Sequence, residues 1–81
     1  LRCGRAKSWT VTFLDQNGNE IADQNFQWKV DSEYDVKQVV DGQRIQLKVD
    51  DEQLIDCSFL LSVMINNTIR AKVDITIIAG L

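Results

Sequence analysis

From Ser58 to Ile78 apolar and polar side chains alternate almost without a break. Phe59, Leu61, Val63 and Ile65 share one face of the first half, and Ile69, Ala71, Val73, Ile75 and Ile77 share one face of the second. A period of two over that length predicts two strands. They meet at Asn66-Asn67, residues that tolerate positive φ, so an antiparallel hairpin with a tight turn is expected. Leu60 and Met64 make the first strand apolar on much of both faces, which predicts a place inside a sheet. The second strand turns Arg70, Lys72, Asp74 and Thr76 outward, as suits an edge or a solvent face. A hairpin with one continuous apolar face needs a second sheet to cover it.

The rest of the chain supplies that sheet in short pieces. Trp9, Val11 and Phe13 alternate with Thr10 and Thr12, and the strand they predict stops at the Asp15 to Asn19 turn around Asn17-Gly18. Phe26, Trp28 and Val30 alternate with Gln27 and Lys29, giving a core strand with Trp28 as its largest buried group. Val36 to Val40 reads as a weaker strand, because the adjacent Val39 and Val40 break the alternation and call for a bulge or a switch of sheet. After the Asp41-Gly42 turn, Ile45, Leu47 and Val49 form one apolar face opposite Arg44, Gln46 and Lys48. Leu54 and Ile55 are expected to tuck under the sandwich as an apolar plug. No helical period of useful length occurs, so the fold class is all-β, a sandwich of short strands.

Eighty-one residues bound a single domain, with no repeat, no low-complexity tract, no apolar run of transmembrane length and nothing resembling a secretory leader. Leu1 is not a methionine, and the chain is expected to be a fragment or a processed product. Residues 1–8 lack periodicity and read as a basic leader or linker ahead of a domain spanning 9–81. That leader holds Arg2, Arg5 and Lys7, which leaves six basic against twelve acidic side chains in the body, a net of about −6. Such a surface argues against nucleic acid, whose phosphates are bound by Lys and Arg.

Candidate chemistry is sparse. There is no histidine, the two cysteines are distant in sequence, and the glycines are isolated, so zinc, Ser-His or Cys-His sites and phosphate-cradling loops are excluded. Asp50-Asp51-Glu52 lacks a catalytic partner and reads as a solvated strand end. An EF-hand loop starting at Asp15 would need Gly at its sixth position and Glu at its twelfth, where the chain has Glu20 and Phe26. No enzyme, cofactor or metal is therefore expected. Cys3 and Cys57 are read as free thiols, with a disulfide as the alternative, and Cys57 shares the parity of Phe59 and is expected to be buried. Asn66-Asn67-Thr68 matches a glycosylation sequon that the turn already explains. With the other aromatics on inward faces, Tyr34 is the one candidate surface contact.

The run Cys3-Gly4-Arg5-Ala6-Lys7-Ser8-Trp9-Thr10-Val11-Thr12-Phe13, the Asp15 to Glu20 turn, Phe26-Gln27-Trp28-Lys29-Val30, Arg44-Ile45-Gln46-Leu47-Lys48-Val49, Leu54-Ile55-Asp56 before Phe59-Leu60-Leu61-Ser62-Val63, and the terminal Ile75 to Leu81 together resemble one module. It is the bacterial immunoglobulin-like domain appended, often C-terminally, to virion structural proteins of tailed phages and prophages of Gram-positive bacteria. The resemblance covers nearly the whole chain and rests on spacing. Asp56-Cys57 departs from it, standing where Gly and a polar residue are expected. What the resemblance implies is a small immunoglobulin-like β-sandwich of about six or seven antiparallel strands, with Gly80-Leu81 suiting a natural C-terminus. It implies a non-enzymatic accessory role on a head, neck or tail protein, decorating a virion assembled in the bacterial cytoplasm. Implied partners are other virion proteins or neighbours in the parent protein, and host cell-wall glycan through weak contacts, with no nucleic acid and no membrane. The alternative is a carbohydrate or cell-wall-binding module, or an adhesin spacer, of a bacterial surface protein.

Overall fold

A computed structural model of the chain describes residues 1–21 and 24–80. It is all-β: strands β1 (Lys7–Thr10), β2 (Gln27–Asp31), β3 (Lys37–Asp41), β4 (Arg44–Lys48), β5 (Ser58–Ile65) and β6 (Thr68–Thr76), with one 3₁₀ turn at Glu52–Leu54. The strands form two three-stranded sheets, β1-β4-β3 and β2-β5-β6, and every pairing between them is antiparallel. This is the layout of a small β-sandwich. Leu81, which closes the last segment of the family resemblance, lies outside the described residues.

Sheet position follows side-chain chemistry. The central strands are β4 and β5, and they carry most of the core: Ile45 and Leu47 on β4 with Val49 just beyond it, and Phe59, Leu61 and Val63 on β5. Ile75 and Ile77 close the cluster. Residues of one parity on each central strand thus meet across the sandwich, each contributing about 1.5–3 kcal/mol by leaving water. The β5–β6 hairpin turns at Asn66 and Asn67, with φ of 50° and 62°, the positive pair that a two-residue turn matching strand twist requires.

Three expectations are corrected. Val39 and Val40 carry no bulge, since the β3–β4 register is unbroken from Lys37 opposite Lys48 to Asp41 opposite Arg44. Both valines are exposed, because β3 is an edge strand with little over it. The register shift lies instead between Val63 and Met64, opposite Ala71 and Ile69. The inward row of β6 is covered only at one end: Ile75 is buried, as is Ile77 just beyond the strand, whereas Val73 is 41% exposed, and past the register shift Ile69 pairs with Met64 and leaves that row, 48% exposed. Finally, the ladder of β1 ends at Thr10. Val11 continues through its N–H to the Gln43 carbonyl at 2.8 Å and its carbonyl to Gln43 Nε2 at 3.0 Å, and Phe13 packs on Phe26 with ring centroids 5.0 Å apart.

Residues 1–8 lie against the sandwich. Leu1 N donates to the Thr76 carbonyl at 3.0 Å, Ile78 N to Leu1 at 2.9 Å and Cys3 N to Ile78 at 2.9 Å, a short parallel ladder on the end of β6. Gly4 N then reaches the Val49 carbonyl at 2.7 Å, and Lys7 and Ser8 open β1. Leu1 and Cys3 pack on the core cluster. Gly80 lies so close to the Cys3 carbonyl that a Cβ there would collide with it.

Two positions are locally unfavourable. Asp56 sits at φ 75° while its N–H donates to the Ile77 carbonyl at 2.8 Å. It occupies the place where the resemblance expects Gly, and a left-handed conformation costs a residue with a Cβ about 1–2 kcal/mol. Asp56→Gly is expected to stabilise the fold by about 0.5–1 kcal/mol after the entropy of the unfolded glycine is deducted, read as a higher urea midpoint at unchanged slope. Ser62, flanked in register by Lys29 and Lys72, is buried with its hydroxyl unpaired. Ser62→Ala removes that orphan and is expected to gain about 1 kcal/mol; a loss of stability in the same melt would mean that the hydroxyl has a partner.

Candidate functional site

The uncovered end of β6 faces the end of β1, and between them the sandwich opens. A cleft of about 220 Å³ is lined by Trp9, Val11, Trp28, Val63, Ala71 and Val73. A second depression of about 280 Å³ continues it past Ala71, with Phe13, Ile65 and Arg70 in its walls. The walls are apolar and the rim is cationic: Lys72 borders the cleft, and Lys7 Nζ stands 5.5 Å over the Trp9 ring. Apolar side chains suit such a groove, with Thr10 and Thr12 as the polar residues of its lining beside Lys72.

The groove runs beside an open backbone edge. The Thr76 carbonyl and both backbone groups of Ile78 face the N-terminal segment. Alternation along a strand turns the N–H and C=O of Asp74 and Lys72 the same way. Among the described residues no strand lies beside β6 from Thr68 to Ile75.

Sequence reasoning missed this site. Parity placed Trp9, Phe13, Phe26, Trp28 and Phe59 inward, and of these only Phe59 is fully buried. The other four are half-buried, with Trp9 and Trp28 lining the cleft. Parity says which face a residue is on; the sequence carries no sign of how far the opposite sheet extends.

Tyr34 is 36% exposed, and its hydroxyl is engaged by the Cys57 side chain. That hydrogen bond, then the charge of Cys57, burial and Glu33, push the phenol above its ordinary value. Its backbone N–H donates to Ser32 Oγ at 3.0 Å. Tyr34 is not among the residues lining the groove. Cys3 and Cys57 are both free and half-buried.

The acidic candidates have structural partners. Asp50 meets Lys37 at 2.7 Å and Lys48 at 3.4 Å, Asp51 accepts from Gln53 N at 2.9 Å and so caps the 3₁₀ turn, and Asp15 accepts from Asn17 N at 2.8 Å and Asn19 N at 2.9 Å. No group of three or more metal-ligating side chains occurs among the described residues. Hydrogen bonding by Lys37 lowers the Asp50 pKa below its ordinary 3.8, and the N–H groups of Asn19 and then Asn17 do the same for Asp15. A carboxyl depressed in the folded state stabilises above its unfolded value and loses that contribution as pH falls through the folded one. Thermal midpoints should therefore drop on acidification below about pH 4, and Asp50→Asn should flatten part of that drop. An unchanged slope in the variant would show that the ion pair is not populated in solution.

No family model matches the chain, and neither a curated protein nor a solved structure matches it.

Proposed function

We propose that the chain is an immunoglobulin-like accessory module of a virion structural protein, non-enzymatic, which decorates a phage particle and makes weak contacts with the host surface. The observation that carries the reading is strand order. In an immunoglobulin sandwich strands B, E and D share one sheet and C, F and G the other. The order β1-β4-β3 with β2-β5-β6 corresponds to B-E-D with C-F-G. Trp28 on β2 corresponds to the core tryptophan of strand C and packs on the core cluster. The inter-sheet disulfide of antibody domains has no counterpart, both cysteines being free.

Such a module acts by presentation, a rigid body offering an edge, a groove and loops to neighbours. Many copies on one particle make individually weak contacts effective through avidity. The discriminating experiment is immunogold labelling with antibody against the domain. Label at a fixed position on tailed particles released from induced Gram-positive lysogens supports the reading. Label confined to walls of uninduced cells transfers the domain to a bacterial surface protein. Pelleting with isolated cell walls, as monomer and as engineered multimer, then tests the host contact: saturable retention competed by soluble wall glycan is expected, and no retention in either form removes it.

A further inference from the structure

We infer that the free edge of β3 is a self-association surface: a second copy of this chain pairs its own β3 there, antiparallel, about a two-fold axis at Val39. Three features of the strand select that occupant. The first is an open ladder. β3 is bonded to β4 alone, and among the described residues no strand lies on its other side. Leu1–Cys3 and Gly80 sit at the β6 edge. β1 and β6 wall the cleft of about 220 Å³, whereas β2 and β3 wall a separate depression, so those terminal segments and β3 lie on opposite sides of the sandwich. Asp41 and Arg44 close a two-residue turn in which Gly42 takes φ 56°. The closing pair of such a turn exchanges both backbone bonds, and alternation then turns the N–H and C=O of Lys37, Val39 and Asp41 towards β4. Those of Gln38 and Val40 point off the edge of the sheet.

The second is the order of charges. Lys37 and Asp41 stand equally far to either side of Val39, and all three share the outer face with their partners Lys48, Gln46 and Arg44. An antiparallel copy centred on Val39 sets each Lys37 against Asp41 of the other copy, and Val39 against Val39. These are non-hydrogen-bonded positions, where Cα atoms approach to about 4.5 Å and side chains meet closely. Gln38 and Val40 of opposite copies take the bonded positions, so the backbone groups left open on both chains satisfy one another. A pairing centred on Gln38 or Val40 sets Lys37 or Asp41 against Val39, and a parallel copy in register brings like charges together. Charged edges ordinarily block pairing, but here their order favours one arrangement. Lys37 already meets Asp50 at 2.7 Å, yet its side chain is 73% exposed and its ammonium has three donors to share. The third is apolar exposure, 64% at Val39 and 54% at Val40. Pairing covers Val39 on the outer face. On the inner face it brings Gln38 of the second copy beside Val40, at the mouth of the depression of about 450 Å³ that Phe26, Trp28 and Gly42 also line. So small an interface implies a dissociation constant of about 0.1–1 mM.

The test is sedimentation velocity of the full chain at concentrations on either side of that value, where a reversible dimer is expected. Asp41→Lys and Lys37→Asp should each weaken it at least about tenfold, because like charges then meet at both ends of the paired strands. An equimolar mixture of the two variants should restore association as a heterodimer, since every facing pair is again of opposite sign. Gln38→Pro removes an N–H that faces the second copy, spares the β3–β4 bonds, and should abolish the dimer. Thermal melts of each variant separate lost pairing from lost folding. In the parent chain, hydrogen exchange at the Gln38 and Val40 amides should slow as concentration rises, while exchange at Lys37, Val39 and Asp41, already bonded to β4, should change little. A chain that stays monomeric at several times the expected constant overturns the inference. So does a dimer indifferent to Gln38→Pro, or a mixture of the two charge variants that stays monomeric although both melt as folded proteins.

Discussion

Leu47→Ala should cost about 3–5 kcal/mol, enough to leave much of the population unfolded at ambient temperature. Leu47 is fully buried on the central strand of its sheet, opposite Lys7 on β1 and Gln38 on β3, and belongs to the cluster that includes Phe59, Leu61 and Ile77. Truncation removes three carbons' worth of burial and leaves a void that two hydrogen-bonded neighbours hold open. The expected reading is a urea midpoint far below the parent's at an unchanged slope. Val39→Ala on the exposed edge is the matched control and should fall within about 0.5 kcal/mol of the parent. Equal losses at the two sites would contradict the assignment of the core.

Trp28→Ala should lose about 3 kcal/mol, the lower end for a tryptophan because the side chain is only half-buried. Three contacts disappear together: packing on the core, an edge-to-face contact with Phe26 at 5.9 Å, and the Nε1–H hydrogen bond of 3.0 Å to the Gly42 carbonyl. The last ties β2 to the β3–β4 turn and so joins the two sheets through a side chain. Trp28→Phe keeps the ring and drops that bond, with an expected loss of about 1 kcal/mol. A Trp28→Ala melt close to the parent's would mean that the tryptophan is not part of the core contact.

The two predictions rest on different depths of sequence legibility. The core was readable because period-two alternation in Ile45, Leu47 and Val49 and in Phe59, Leu61 and Val63 fixes which face each residue occupies. The Asn66-Asn67 turn was readable because few residues accept two consecutive positive φ angles. Burial along β6 was not: Val73 and Ile75 have the same parity and face and differ in whether the opposite sheet reaches over them, while the register shift at Val63/Met64 takes Ile69 off that face altogether. The pairing of Leu1 to Cys3 is too short to show a period, and its anchors are backbone groups that any residue supplies. Asp56 is intermediate, since the resemblance asked for glycine at the residue that takes φ 75°. The groove followed from the same gap, being made by what the first strand fails to cover.

The N-terminal ladder also sets how the domain answers a mechanical load. Leu1–Cys3 and Thr76–Ile78 are parallel neighbours, so tension entering ahead of Leu1 and leaving beyond Gly80 pulls the two segments along their own axes in opposite directions. The hydrogen bonds between them lie across that direction and are strained together, as in shear, where an antiparallel pair pulled from one end would open bond by bond. Gly80 seated against the Cys3 carbonyl adds a steric stop at the same place. Under tension the lifetime of the fold is then set by the barrier to breaking this patch, a rate that equilibrium stability does not report.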